Sequence, residues 1–435
     1  MKKKVLAMAL AAMMACTGLA ACGSEAKDGD SKSGKSASGE VTELEFWGWW
    51  SSDARKPYIE EMVENFNASQ DKYHVTYVDT PFGDIFTKNI AQIAAGKPCD
   101  IMANSMEEVK FRAQEGQVES LDEFLDDETK NAFYEQYMDA CTGDDGAAYA
   151  LPLSVDTRVI YYNKAHFEEA GVKAEEIVTW DDLAAAARKL DKKNGDDWER
   201  VGIEPVLGNG GVDTWLVNAN QGPCWYDREA ETPIVNSETN KQAYQWIREQ
   251  MDVYGQDKYN ELKAAWQSGM GDPFASGMVS MVVHTSGYVS NLQQSAPDLE
   301  YGVIKMPEFK EGQGHVTTGG GFVLEIPKGA KCPEGSYEFI KYVTSKETQD
   351  FLSTKLGDFS ARNDFDETSE FYKKPLVKDI SSALDETVLT LTPNRIKGYQ
   401  DVVNPLIEEG TLGTKSTDDA LDNAQKAFEG FLSNK

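Results

Sequence analysis

Residues 148–155, AYALPLSV, begin an extended run that reaches Asn163. Upstream of this run, strand patterns alternate with helix patterns. Residues 41–47 alternate apolar and polar side chains, as a half-buried strand does, and residues 55–68 place their apolar side chains on one helical face. Residues 74–78 and 100–103 are predicted as the second and third strands, with a helix between them. This β-α-β-α order predicts a mostly parallel sheet covered by helices.

The chain downstream of the run carries further strand and helix patterns. Strands are predicted at 279–284, 301–306 and 321–326, and an amphipathic helix begins after Ser416. Residues 206–225 are rich in Gly, Asn and Trp, and because they lack periodicity they are predicted to be irregular. The whole body, from about Val41 to Lys435, is too long for one ordinary core, so two domains are predicted.

The N-terminus has the features of an export signal. Lys2, Lys3 and Lys4 precede an apolar stretch at 5–15 that is too short to span a bilayer, and Leu19-Ala-Ala-Cys22 follows. The pattern resembles a bacterial lipoprotein signal. It predicts a signal peptide at 1–21 and a lipid on Cys22. Residues 22–40 carry no bulky apolar side chain and are predicted to be a flexible tether.

The composition excludes some classes of partner. The formal net charge is −30, which argues against nucleic acid and against anionic lipid surfaces, because both need a basic face. Downstream of the signal, four cysteines are widely separated and form no CxxC pair, so no metal site is predicted. One or two disulfides or four buried thiols are both compatible with the pattern of Cys99, Cys141, Cys224 and Cys332.

An ordered set of motifs covers nearly all of the body. The set includes LEFWGWW at 44–50, IAAGKPCDIM at 93–102, YALP at 149–152 with IYYNK at 160–164, TWDDL at 179–183, FASGMVSM at 274–281 and IPKGA at 326–330. In this order the motifs resemble the extracellular solute-binding proteins of carbohydrate ABC transporters, the maltose-binding type. The chain departs from the family pattern where Cys99 comes between Pro98 and Asp100.

The resemblance implies an α/β periplasmic-binding-protein type II fold. Two lobes would be joined by crossing hinge strands, with a ligand cleft between them. Lobe 1 is expected at 41–155 and 300–350, and lobe 2 at 156–299 and 351–435. The resemblance also implies a monomer without a cofactor, held by its lipid at the outer face of the bacterial cell membrane. Its partners would be a carbohydrate and the transmembrane subunits of an ABC permease.

Aromatic residues are the first candidates for ligand contact, because a sugar face packs on an aromatic ring. Trp47, Trp49 and Trp50 lie at the carboxyl end of the first strand, where open α/β sheets bind ligands. Strand alternation turns Trp47 and Trp49 the same way, and one or two of the three can belong to the core. Trp215 either stacks on ligand or plugs the second lobe. Tyr288 follows a strand, where the resembling family commonly places a stacking aromatic residue.

Polar candidates surround these aromatics. Asn104 and Glu107 follow the third strand in a loop that supplies ligand contacts in the resembling family, although Glu107 could instead open a helix. Asp156 lies in the first crossing, where its carboxylate could accept two hydroxyl donors. Arg158 either shares that face or forms a salt bridge within the hinge. Arg362 is a candidate from the late part of the chain.

The leading functional hypothesis is a binding protein that captures a sugar and delivers it to a permease. A binding protein for a polyamine or a phosphodiester is an alternative. A glycoside hydrolase is a further one, but it needs two carboxylates at a fixed separation, and no motif pairs them here. The sequence also lacks G-x-S-x-G, HExxH and P-loop motifs, so no catalytic residue is predicted. Gly319-Gly-Gly321 is interpreted as close backbone packing, since no lysine or helix start follows it.

Overall fold

The computed structural model describes residues 41–52, 55–267, 271–390 and 392–434. The predicted signal peptide, the lipidation site Cys22 and the tether lie outside these residues. Within the described ranges, no helix combines the length and the apolar character needed to cross a membrane.

Strands are distributed along the whole body. They are β1 Thr42–Gly48, β2 Tyr73–Asp79, β3 Ile101–Ser105, β4 Ala150–Asn163, β5 Lys192–Asn194, β6 Asp197–Ile203, β7 Tyr226–Asp227, β8 Thr232–Pro233, β9 Val279–Thr285, β10 Tyr301–Ile304, β11 Thr317–Glu325 and β12 Thr387–Leu389.

Helices alternate with these strands. They are α1 Lys56–Ser69, α2 Phe82–Ala94, α3 Val109–Gln114, α4 Asp127–Asn131, α5 Glu135–Ala140, α6 Lys164–Ala170, α7 Trp180–Leu190, α8 Gly211–Asn220, α9 Glu238–Asp252, α10 Gln256–Gln267, α11 Tyr288–Ser295, α12 Pro333–Val343, α13 Lys346–Leu356, α14 Pro375–Ser381, α15 Gln400–Thr411 and α16 Thr417–Ser433. Short 3₁₀ helices cover Met106–Glu108, Ala174–Glu176, Leu384–Glu386 and Asn394–Ile396.

The main sheet has the strand order β2-β1-β3-β11-β4-β9-β6-β5. Its first three strands are parallel, as the β-α-β-α pattern predicts. The long strand β4 lies in the middle and has different partners along its length. Its first half pairs antiparallel with β11, and its second half pairs antiparallel with β9 and β10. The extended run predicted from residues 148–155 to Asn163 is therefore the strand shared by both halves of the molecule.

Two large hydrophobic cores lie on either side of this shared strand. The first includes Phe46 on β1, Leu151 on β4 and Phe339 on α12. The second includes aliphatic and aromatic side chains on α7, α8, α9 and α16, and its fully buried members include Trp180 and Phe428.

The predicted lobe boundary at 350 falls inside α13, which packs against α1 beside the first core. The contacts therefore favour keeping all of α13 with lobe 1. Near the boundary at 300, strand β10 pairs with the second half of β4, while its Tyr301 and Val303 side chains pack against the first core and Ile304 against the second. Strand β10 thus contacts both cores.

The glycines at 319–321 allow two backbones to approach closely. A Cβ added at Gly321 would lie 2.2 Å from the carbonyl oxygen of Ser154, and one at Gly319 would lie 2.4 Å from that of Asp156. At Gly320 the nearest atom would be 3.9 Å away, which is ordinary contact. The interpretation of this stretch as close backbone packing is confirmed, and it places bare backbone where β4 and β11 cross the molecule.

The cysteine alternatives are also resolved for the body. Cys99, Cys141, Cys224 and Cys332 are free thiols, and the first three are buried. Burial raises the pKa of the Cys99 and Cys141 thiols well above the usual value, which keeps them protonated.

Candidate functional site

A groove formed by two adjoining cavities crosses the middle of the sheet. The first cavity has a volume of about 1180 Å³ and lies at the carboxyl ends of β1 and β9. The second cavity, of about 700 Å³, lies beside α8 and α15. Both are lined by Asp156, Arg158, Asn209, Gly321 and Phe322, so the two cavities are continuous over β4 and β11.

One wall of the first cavity is formed by Trp49 and Trp50, whose ring centroids are 5.2 Å apart. Trp49 is partly exposed, and its ring lies 5.0 Å from that of Phe322 and 4.9 Å from that of Phe82, both edge-on. Trp50 is buried, and its backbone N–H donates to the Tyr77 hydroxyl at 2.9 Å. Trp49 therefore offers the larger aromatic surface to a ligand.

Trp47 does not belong to this wall, contrary to the prediction. Its side chain is 6% exposed and packs in a small cluster with Ile85, Cys99 and Met102. Strand β1 ends at Gly48, so Trp47 stays within the sheet beneath α2, whereas Trp49 lies beyond the strand end. Strand alternation alone could not show where β1 stops.

A second wall of this cavity, at the end of β9, is formed by Trp266, His284 and Tyr288, whose rings contact one another. Tyr288 lines the cavity, but only 2% of its surface is exposed, and its ring stacks on His284 with a centroid distance of 4.0 Å. Its hydroxyl donates to the Asp272 carboxylate. Tyr288 therefore supports the wall, and it has no free ring face for stacking. Trp266 is partly exposed at the end of α10 and lines this wall. It is an aromatic candidate for ligand contact that the sequence does not predict.

His284 is a neutral part of this wall. Burial lowers its pKa to about 3. The backbone N–H of Thr285 donates to His284 Nδ1 at 2.9 Å, so the ring proton resides on Nε2. Because this imidazole stays uncharged at neutral pH, it contributes a hydrogen-bond donor and an aromatic surface.

The centre of the groove is charged. Arg158 Nη1 donates to Asp156 Oδ1, and both side chains line both cavities. Burial raises the pKa of Asp156, and the neighbouring Arg158 opposes that rise. The side chains of Asp156 and Arg158 remain 31% and 22% exposed, so a ligand can reach them. The two sequence interpretations of Arg158 are thus compatible, since it is paired and also faces the groove.

Most of the charged side chains that line the second cavity are carboxylates. Glu107 lies in the 3₁₀ helix Met106–Glu108, lines this cavity and accepts a hydrogen bond from the Ser105 hydroxyl at 3.3 Å. Asp213, which sequence reasoning missed, projects from the first turn of α8 and accepts from Trp225 Nε1 at 3.1 Å. Glu107 and Asp213 together place carboxylates at the far end of the groove.

Besides Trp47, three predicted contacts lie outside both cavities: Asn104, Trp215 and Arg362. Asn104 is buried because β3 continues to Ser105, and its Nδ2 donates to Glu325 Oε2 at 2.9 Å. Trp215 is fully buried in α8, where the sequence predicts irregular structure, and its Nε1 donates to the Pro205 carbonyl at 2.8 Å. The "plug" interpretation of Trp215 is therefore the right one.

Arg362 is held by its own neighbourhood. Its Nε donates to Asp364 Oδ1 at 2.7 Å and its Nη1 to the Thr344 carbonyl at 3.0 Å. These contacts fix the guanidinium beside α12, away from the groove. Of the predicted site residues, the groove brings together Trp49, Trp50, Glu107, Asp156, Arg158 and Tyr288.

The fold is shared with solved binding proteins. The chain superimposes on the structure of CpMnBP1 with mannotriose bound with a TM-score of 0.76 at 21% identity, over 89% of this chain and all of that one. The fold is therefore the two-lobed α/β architecture of maltose-binding-type proteins, as the sequence predicts.

Two curated relatives are similar in sequence. A putative binding protein of Brucella abortus is 26% identical over 255 residues, which span 58% of this chain and only 60% of that protein. The arabinooligosaccharide-binding protein of Bacillus subtilis is 23% identical over 320 residues, or 70% of each chain. A family model described as bacterial extracellular solute-binding protein matches residues 50–350. The chain therefore belongs to the family of bacterial extracellular solute-binding proteins.

Proposed function

We propose that this protein captures a sugar or oligosaccharide outside the cell and delivers it to the permease subunits of an ABC importer. The observation that carries the proposal is the groove itself, which combines aromatic side chains with a charged pair. Trp49, Trp50 and Trp266 line the first cavity, and Asp156 and Arg158 line both cavities.

This arrangement suits the two kinds of surface that a sugar presents. The C–H groups of a sugar face pack against tryptophan rings, and its hydroxyls bond to carboxylate, guanidinium and amide groups at the rim. Asn209 adds an amide at the junction of the two cavities. The combined volume of the two cavities favours an oligosaccharide over a single sugar. The ligands named for the relatives, an arabinooligosaccharide and mannotriose, support the same class.

The protein is proposed to bind its ligand without chemical change. The matched family and the structures that share the fold are binding proteins. Capture is expected to stabilise one arrangement of the lobes over another, which requires only a difference in ligand affinity between them. The active unit is proposed to be a monomer without a cofactor.

Binding to defined glycans tests the proposal. Intrinsic tryptophan emission is followed while the purified protein is titrated with arabinotriose, mannotriose and maltotriose. We expect a saturable change with at least one of them, and unaltered glycan on recovery. Saturation by spermidine or by glycerophosphodiesters alone would favour the non-sugar alternative, and new reducing ends would favour a hydrolase.

The membrane anchor is proposed from the N-terminal sequence, with Cys22 as the lipidated residue. Changing Cys22→Ser should release the protein from the membrane fraction of the producing bacterium, because the lipid is its only proposed attachment. Fractionation followed by immunoblotting checks this, with Cys332→Ser as the matched control. Retention of the Cys22→Ser protein with the membrane would contradict the anchor.

A further inference from the structure

We propose that the turn at residues 285–288 forms a subsite for an anionic, oxygen-rich substituent of the sugar, such as a carboxylate or a phosphate. The turn joins the end of β9 to the start of α11 and lies in the wall of the first cavity. The inference rests on the proposed function and narrows its ligand to acidic sugars.

Ser286 is the central observation. Only 1% of the residue is exposed, and its Oγ is buried without a hydrogen-bond partner although it lines the first cavity. The backbone around it is fixed, since its N–H donates to the Thr157 carbonyl at 2.9 Å and its carbonyl accepts from the Tyr161 hydroxyl at 3.1 Å. A buried hydroxyl without a partner is costly, so a ligand oxygen that reaches it removes that cost.

The start of α11 adds a second group of donors. The helix begins at Tyr288 after Gly287, and no side chain caps it. Both residues line the first cavity. The first N–H groups of a helix have no partner within the helix, and its N-terminus carries a partial positive charge. The unpartnered Ser286 hydroxyl and the N-terminus of α11 thus lie beside the same cavity, an arrangement that favours a negatively charged oxygen.

The carboxylates of the same cavity already accept hydrogen bonds from protein groups. Asp156 is paired with Arg158, and Asp358 accepts from Arg55 Nη2 at 2.5 Å. Asp272 accepts from the Tyr288 hydroxyl and from the backbone N–H of Phe274 at 2.8 Å.

The donors of this cavity are less well satisfied than its carboxylates. Besides Ser286 Oγ, the Nε of Arg55 is buried and unpartnered. We therefore expect the ligand to supply hydrogen-bond acceptors for these two donors. Hydrogen bonds to an ionised acceptor are roughly twice as strong as those to a neutral one, so an anionic group gains more from these donors than a hydroxyl does.

Paired ligands test the charge preference. Isothermal titration compares α-1,4-galactotriose with trigalacturonate, cellotriose with triglucuronate, and β-1,4-mannotriose with trimannuronate. A separate comparison tests phosphate, with glucose 6-phosphate, galactose 6-phosphate and mannose 6-phosphate each measured against the corresponding unphosphorylated sugar. We expect at least one anionic ligand to bind about tenfold or more tightly than its neutral partner, the scale of one hydrogen bond to a charged group.

A pair of serine variants tests the subsite. Ser286→Ala should lose about tenfold in affinity for the preferred anionic ligand, with unchanged stability because the hydroxyl has no partner in the free protein. Ser433→Ala is the matched control, since Ser433 lies at the end of α16, outside both cavities, and its hydroxyl donates to the Glu429 carbonyl at 2.9 Å. It should leave affinity unchanged.

The outcomes separate this inference from the proposed function. Neutral sugars that bind as tightly as every anionic partner would overturn the subsite and leave sugar capture standing. A Ser286→Ala protein with full affinity for the anionic ligand would also overturn it. A protein that binds none of the neutral or anionic glycans would instead contradict the proposed function.

Discussion

Trp266 lies at the end of α10, is partly exposed, and lines the first cavity together with Trp49. Its ring centroid is 5.6 Å from that of His284, so one edge of the indole is supported by the protein. Changing Trp266→Ala should weaken the best glycan ligand by about 0.5–1.5 kcal/mol, the range for one aromatic contact. Titration calorimetry measures the change.

Trp198→Ala is the control for this variant. Trp198 is also partly exposed, but it packs on Tyr254 and beneath Lys193, away from both cavities. Its removal should leave ligand affinity unchanged. Equal losses in the two variants would mean that the Trp266 effect arises from general loosening of the second lobe.

Glu204 is a buried carboxyl group that gives stability a defined pH dependence. It is 1% exposed, its Oε2 accepts from the Val206 N–H at 3.1 Å, and its Oε1 has no partner. Burial raises its pKa to about 8, against about 4.3 in an unfolded chain. Between these values the folded protein holds a proton that the unfolded chain has lost, so this group lowers stability as pH rises.

Replacing Glu204→Gln should remove that contribution. At pH 4 both proteins should be about equally stable, and the variant should gain up to about 1.4 kcal/mol per pH unit towards pH 8. Urea unfolding across this range gives the difference, with the exposed Glu199→Gln on the preceding strand β6 as control. A difference that does not change with pH would show that Glu204 is ionised in the folded protein.

At the scale of single residues, the sequence identifies side chains that follow a strand end, such as Trp49, and those that lie within β4, such as Asp156. It misses side chains whose role depends on distant partners. The buried Asn104 side chain is hydrogen-bonded to Glu325, which is distant from it in the sequence. Trp266 carries no local motif and becomes a candidate only because α10 ends beside β9 and α11.

The backbone of strand β11 approaches that of β4 closely at Gly321. Gly321→Ala should disturb its pairing with β4, because the new Cβ would lie 2.2 Å from the Ser154 carbonyl oxygen. Overpacking of this kind costs about 1–3 kcal/mol. Thermal unfolding should show a lower midpoint for this variant.

The adjacent Gly320→Ala is a close control on the same strand. Its new Cβ would meet nothing nearer than 3.9 Å, so the midpoint should change little. If Gly320→Ala were as destabilising as Gly321→Ala, the cost would come from restricted backbone freedom and not from the approach of β4.

Elements with a strong period are the ones that the sequence predicts well. The apolar face of α1 and the alternation of β1 both appear as expected. Helix α8 does not, because Gly and Asn in 206–225 mask its period and because the consecutive residues 214–219, polar Thr214 and Asn218 included, are all buried. A helix buried on most of its surface leaves no amphipathic pattern to detect.

The whole molecule should unfold as one unit despite its two cores. Strand β4 contributes Leu151 and Tyr161 to the first core and Ile160 to the second, so neither core can lose this strand alone. We expect urea curves from tryptophan emission and far-ultraviolet circular dichroism to coincide with a single midpoint. Separate midpoints would show that the lobes are independent folding units.

Saturating ligand should move that midpoint without splitting the transition. A ligand at 100 times its Kd stabilises the folded state by about 2.7 kcal/mol. The two-lobed architecture could be predicted from the ordered motifs along the chain. The lobe boundaries could not, because strand pairing between β10 and β4 joins segments that are far apart in sequence.

The unequal burial of the four thiols has a practical consequence. Cys99, Cys141 and Cys224 are enclosed, whereas Cys332, before α12, is partly accessible. In the native state, a maleimide dye should therefore attach at Cys332 in preference to the three enclosed thiols. The unmodified body already contains an anchoring point for an optical biosensor of its own ligand.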